Sequence, residues 1–162
     1  MKPWIGTVLP VVTATLVLVA APPADGLILL SAGSGSVLSP FGANKTATGS
    51  GSVTATDSNP SWTLQAQDQG TGAGKLVAGT TGCAGSDATL ANPLQLSVTS
   101  PLGGVTPAAA IALSATNQTV ATATNQTLSA ATFTTNYTQM IPPTEAMLAG
   151  CVYAITVTYT LQ

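Results

Sequence analysis

The side chains able to do chemistry are few and scattered. The acids are Asp25, Asp57, Asp68, Asp87 and Glu145, the cations are Lys2, Lys45 and Lys75, and histidine and arginine do not occur. Glycosidases work with a pair of carboxylates, and Asp57, Asp68, Asp87 and Glu145 could supply one, but no spacing among them selects a pair. Serine and threonine abound without a histidine base to activate them. Neither a G-x-S-x-G elbow nor a phosphate-binding glycine loop occurs. Calcium wants about six to eight oxygens, several of them carboxylates; Asp57-Ser58-Asn59 and Asp68-Gln69-Gly70 read more plainly as turns. Two cysteines and no histidine make neither a zinc tetrad nor a mixed site. The sequence reads as a non-enzyme without metal or cofactor.

Charged residues are 5% of the 162, against roughly 25% in an average soluble domain. A net charge of −2 cannot displace phosphate counterions, so nucleic acid is not an expected partner. What is left for recognition is hydrogen bonding by Thr, Ser, Asn and Gln, with a few aromatics. That composition suits a surface or scaffold protein.

Cys83 and Cys151 are the only cysteines, so one intramolecular bridge is possible. It would persist outside the cell. Two separate buried thiols are the alternative. A thiol catalyst is not the reading, because no histidine or cationic cluster is present to form the thiolate.

The N-terminus has the order of an export signal. Lys2 is followed by an uncharged, mostly apolar run from Trp4 to Ala21, and then by Ala20-Ala21-Pro22-Pro23-Ala24-Asp25. Basic start, apolar middle and small-residue end describe a secretory signal peptide, expected as an apolar helix over residues 1–24. Ala24 is the preferred last residue, with Ala21 or Gly26 as alternatives. An uncleaved membrane anchor is the rival reading, and only that would place the protein at a membrane. Pro10 weakens it as a spanning helix, and no positive cluster follows the run. The expected location is extracellular, with residues 25–162 as one domain.

Beyond Asp25 no stretch has helical periodicity, and alternation recurs instead. Trp62, Leu64 and Ala66 share one face of Ser61–Asp68, and Leu94–Thr99 alternates in the same way. Cys151, Tyr153, Ile155, Val157, Tyr159 and Leu161 fall on one face of a strand of about 11 residues. Turn formers separate these runs: Gly33-Ser34-Gly35, Gly49-Ser50-Gly51, Asn59-Pro60, Gly70-Thr71-Gly72, Gly103-Gly104 and Pro142-Pro143. Short strands with such punctuation predict an all-β, antiparallel β-sandwich of immunoglobulin-like or Greek-key type. Ala115-Thr116-Asn117-Gln118-Thr119 repeats as Ala123-Thr124-Asn125-Gln126-Thr127, which reads as a threonine-rich strand pair or a strand and its return, with a longer polar loop or surface tract as the alternative. N-x-T sequons at Asn44, Asn117, Asn125 and Asn136 are what a threonine-rich chain yields by chance.

Two segments carry a family resemblance. Trp62-Thr63-Leu64 is a W-x-L motif soon after Gly51-Ser52-Val53-Thr54-Ala55-Thr56-Asp57, and the chain closes on Gly150-Cys151-Val152-Tyr153-Ala154-Ile155-Thr156-Val157-Thr158-Tyr159-Thr160-Leu161. Both resemble the WxL-domain surface proteins of Gram-positive bacteria, especially the shorter WxL-like proteins of actinobacteria. In that family a second W-x-L lies in the last strand; here the position reads Tyr159-Thr160-Leu161, with tyrosine for tryptophan. The resemblance spans roughly Leu27 to Gln162, with an early apolar strand at Leu27–Leu30. It implies an exported protein without catalytic activity, held non-covalently at the cell wall with wall glycan or peptidoglycan as partner. No L-P-x-T-G sorting signal follows Leu161, which agrees with non-covalent retention. Trp62, Leu64, Tyr159 and Leu161 are the candidate ligand-binding residues, although alternation points all four inward, where packing competes with binding. The ending also resembles those of fimbrial and spore-coat subunits. A structural subunit of a fibre, coat or pilus-like assembly is therefore the alternative, since low charge invites self-association through strand edges.

Overall fold

Threonine, valine and isoleucine punctuated by glycine and proline favour strands and tight turns, and the described residues contain strands and no α-helix. The computed structural model describes residues 11–16, 28–32, 36–79, 83, 88–148 and 150–162. The strands are β1 Val11–Leu16, β2 Ile28–Ala32, β3 Ser36–Val37, β4 Lys45–Asp57, β5 Trp62–Asp68, β6 Val77–Ala78, β7 Gln95–Thr99, β8 Val105–Pro107, β9 Ile111–Ala112, β10 Gln118–Ala123, β11 Leu128–Ile141 and β12 Tyr153–Leu161. They form two sheets. One runs β3-β1-β12-β5-β10-β8, with β6 on β12; the other runs β2-β4-β11-β7-β9. Neighbours are antiparallel except β1 and β12, which are parallel.

The inner faces of the two sheets share one core. Trp62, Leu64 and Ala66 of β5 and Tyr153, Ile155, Val157, Tyr159 and Leu161 of β12 are buried with Val53, Ala55, Phe133 and Tyr137 of the facing sheet. Trp62 meets Phe133 edge-on, with ring centroids 5.8 Å apart. The expected all-β, two-sheet architecture is what the chain adopts.

The N-terminal apolar segment departs from its expected helix wherever it is described. Val11–Leu16 is a strand, parallel to β12 from Val11 opposite Ala154 to Leu16 opposite Tyr159. Val11, Val12, Thr13 and Thr15 are β-branched, which favours extended backbone over helix, and Val12 is fully buried. The sheet thus takes in residues before Ala24. The rest of the expected signal helix, residues 1–10 and 17–24, lies outside the described residues.

Two local readings also change. Gly49-Ser50-Gly51, expected to be a turn, runs straight through β4, which pairs with β11 along its whole length from Lys45 opposite Ile141 to Asp57 opposite Leu128. The glycine serves contact with a neighbour: a Cβ at Gly49 would run into the Ser36 hydroxyl and lie 2.9 Å from a Leu38 methyl, so glycine lets the β3 segment cross close to the strand. The five-residue repeat brackets β10 without making a strand pair. β10 pairs with β5 and β8, while β11, which follows the second copy, pairs with β4 and β7 in the other sheet. The segment 124–127 therefore carries the chain from one sheet to the other, with Asn125 at φ 63°, a left-handed turn conformation that asparagine tolerates.

Candidate functional site

The two W-x-L-type segments come together on adjacent antiparallel strands. Leu161 of β12 lies opposite Leu64 of β5, and Tyr159 lies opposite Ala66. Thr63 N–H donates to the Gln162 carbonyl at 2.8 Å and Gln162 N–H returns to the Thr63 carbonyl at 3.1 Å, closing the end of the ladder. Trp62, Leu64, Tyr159 and Leu161 are all buried, none more than 3% exposed. The arrangement presents no aromatic surface to solvent. It fills the space between the sheets.

Each polar aromatic in this core has a partner for its polar end, as burial of such groups requires. Trp62 Nε1–H donates to the Gln126 carbonyl at 2.7 Å. The hydroxyls of Tyr137 and Tyr159 are 2.9 Å apart across the sheets. Leu148 N–H donates to the Tyr153 hydroxyl at 3.0 Å. Burial, with the Tyr137 hydroxyl alongside, raises the Tyr159 pKa far above its ordinary value, because a phenolate has no solvation there. Nothing acidic or basic near neutral pH results.

The carboxylates are spent on backbone. Asp68 accepts from Gly70 N–H at 2.8 Å and from Gly74 N–H at 2.7 Å, and so holds the tight turn after β5 beside a cleft of about 140 Å³. Asp57 accepts from Asn59 N–H at 2.8 Å through one oxygen; its other oxygen is buried without a partner. Glu145 accepts from Ala91 N–H at 3.0 Å. Asp57 and Asp68 close β4 and β5 and hold the turns that follow, in keeping with their sequence context, and no cluster of metal-ligating side chains occurs among the described residues. Asp25 and Asp87 lie outside those residues.

Cys83 and Cys151 are joined by a disulfide with their Cα atoms 5.9 Å apart. The bridge ties the segment after β6 to the chain just ahead of β12.

The feature that sequence reasoning did not single out is the outer face of the β4-β11-β7 sheet. Side chains there lie in rows across the strands: Thr54 with Thr132, Ser52 with Thr134 and Thr99, Ser50 with Asn136 and Ser97, and Thr48 with Thr138 and Gln95. Every member carries a hydroxyl or an amide, none is charged, and all are exposed or partly exposed. Thr54 and Thr132 share a hydrogen bond of 2.9 Å, and Asn136 Nδ2–H donates to the Thr99 hydroxyl at 3.3 Å. A shallow depression of about 360 Å³ lies on this face, lined by Thr48, Gly49, Ser50, Asn136, Tyr137 and Thr138. The signal for it was present in the T-x-T spacing of Thr132, Thr134 and Thr138 around Asn136, but its significance depends on the neighbouring strands. Such a surface can exchange hydrogen bonds with a neutral, hydroxyl-rich ligand. It cannot steer a charged one.

Fold and site together define the class: an all-β protein of two packed sheets, with a disulfide and an uncharged, hydroxyl-rich outer face. Compared with known protein families and with curated proteins, the chain matches none.

Proposed function

We propose that this is an exported, non-enzymatic cell-surface protein of WxL-like type, held non-covalently at the cell wall through the outer face of the β4-β11-β7 sheet. The rows of uncharged Thr, Ser, Asn and Gln carry this reading, because wall glycan and peptidoglycan present hydroxyls and amides to hydrogen-bond with. The disulfide agrees with an oxidising compartment. The W-x-L-type residues then act indirectly, by holding the sheets together from inside. In this reading the sandwich is of the Greek-key or immunoglobulin-like kind and residues 1–24 direct export.

Retention of the folded protein on isolated cell walls tests the proposal. The folded chain is retained, Thr134→Lys with Asn136→Lys abolishes retention while leaving the fold intact, and a heat-unfolded, alkylated sample is not retained. Equal retention of the double variant would remove the outer face from the reading.

A second reading, a subunit of a fibre, coat or pilus-like assembly, draws support from β12. This strand has no charged residue and no proline along its length, and one of its two flanks is supplied by the segment read as an export signal.

A further inference from the structure

The strand beside β12 comes from the wrong end of the chain for a hairpin. β12 has β5 on one flank and β1 on the other. β1 lies parallel to it for six residue pairs, from Val11 opposite Ala154 to Leu16 opposite Tyr159. On its far side, among the described residues, β1 pairs with Val37 and Ser36 of β3. Val12 reaches the core and is fully buried. If residues 1–24 are removed on export, β12 loses its partner over that run, and the core loses the side chain of Val12. Backbone groups left unpaired in this way are a template for another strand.

The other sheet borders among the described residues are short. β8 has 3 residues, β9 has 2, β3 has 2 and β2 has 5. β12 has 9, reading Tyr-Ala-Ile-Thr-Val-Thr-Tyr-Thr-Leu. Natural edges are protected by charge, proline or bulges. This one has none of them. Its protection is β1 itself.

We infer that the β12 edge is a strand-acceptor site, filled by Val11–Leu16 in the full chain and, once that segment is removed, by β12 of a second copy. The second copy is the occupant because the same cut exposes the same long, uncharged edge on every molecule. Two such edges satisfy one another about a twofold axis, the commonest symmetry of soluble assemblies. They do so in the antiparallel sense, which is slightly the more stable pairing. Removal of the segment in the cell rests on the export reading and on the assembly reading above; the acceptor edge does not.

The test uses the full chain with a specific protease site inserted between Pro23 and Ala24, cut after folding, so that it does not depend on whether the cell makes this cut. Light scattering across a concentration series gives the mass of uncut and cut protein. The uncut chain is expected to stay a monomer, and the cut chain, freed of its N-terminal fragment by chromatography, to double in mass. A synthetic peptide spanning Thr7–Leu18 is expected to return the dimer to monomer by reoccupying the edge. A cut chain that stays folded and monomeric overturns the inference, as does one that unfolds without pairing. A dimer indifferent to the peptide also overturns it, because association then lies elsewhere. So does a fragment that never leaves after cutting, because the edge is then never vacated. Sequencing the N-terminus of the secreted protein tests export separately.

Discussion

β11 and β12 are both interior strands, and both alternate, yet they are buried differently. β11 lies between β4 and β7, and its outward residues, such as Thr132 and Thr134, are exposed. β12 lies between β5 and β1, and from Val157 to Leu161 every residue is buried, Thr158 and Thr160 included. Alternation therefore marks which face of a strand meets the core without saying whether the opposite face meets water. The consequence is chemical. The exposed Thr132 hydroxyl of β11 shares a hydrogen bond with Thr54, while the Thr158 hydroxyl is buried without a partner.

The comparison makes β12 the less tolerant strand. The largest effect is expected from Tyr159→Ala, which empties an aromatic site in the core and leaves the Tyr137 hydroxyl alone. Urea unfolding should show a loss of about 5 kcal/mol. A loss under about 1 kcal/mol would mean that β12 is no more tightly held than the surface of β11.

Next is the bridge that anchors the start of β12. Its sequence separation is 68, and closing a loop of that size restricts the unfolded chain by about 4 kcal/mol in the chain-entropy model. Cys83→Ser with Cys151→Ser should lower stability by about that amount. Reducing the parent protein should have the same effect, and reductant should leave the double variant unchanged.

Tyr159→Phe tests the hydroxyl pair with little change of shape. At neutral pH it should cost about 1–3 kcal/mol, because Tyr137 loses its partner. The sign of the pH effect follows from the raised pKa of Tyr159. Below its ordinary value of 10.0 both folded and unfolded states hold the proton; above it the unfolded chain ionises and the folded site resists. Stability is thus fully present below about pH 10 and falls as the pH rises beyond it, by about 1.4 kcal/mol per unit for this group. In Tyr159→Phe that component of the alkaline slope should vanish. An unchanged slope would place the proton-linked group elsewhere.

The smallest effects contrast the two outer faces directly. Thr158→Val replaces an unpartnered buried hydroxyl with a methyl and should stabilise by about 1 kcal/mol. Thr132→Val on exposed β11 loses one solvent-competed hydrogen bond and should stay within about 0.5 kcal/mol of the parent. If both changes have the same sign and size, the distinction between the faces fails.

Several elements were legible because one local pattern sufficed. β5 and β7 alternate over a few residues between turn signals, and β12 alternates from Tyr153 onward. The same period turns Trp62, Leu64, Tyr159 and Leu161 inward, where they are buried. β4 was harder to read, since its middle is Gly49-Ser50-Gly51 and local chemistry there favours a turn. What keeps it extended is the close crossing of Ser36 and Leu38 together with the β11 ladder. The repeat around β10 suggested a local pair, but its strands pair with elements distant in sequence. The hydroxyl-rich face is legible only in the spacing along β11, for the same reason: Thr134, Ser52 and Thr99 are far apart in the chain and become one row only through register.

The amino-acid sequence by itself determined the β character, through threonine and β-branched residues. It also excluded histidine chemistry, through composition alone, and set the inward faces of the main strands through a period of two. Only the tertiary structure decided that the two W-x-L-type segments lie side by side and that Val11–Leu16 closes the flank of β12. Side-chain alternation and turn chemistry act over a few residues and can be read locally. Sheet order and register depend on which distant strands bury one another's backbone and side chains: β12 pairs with β5 on one flank and with Val11–Leu16 on the other.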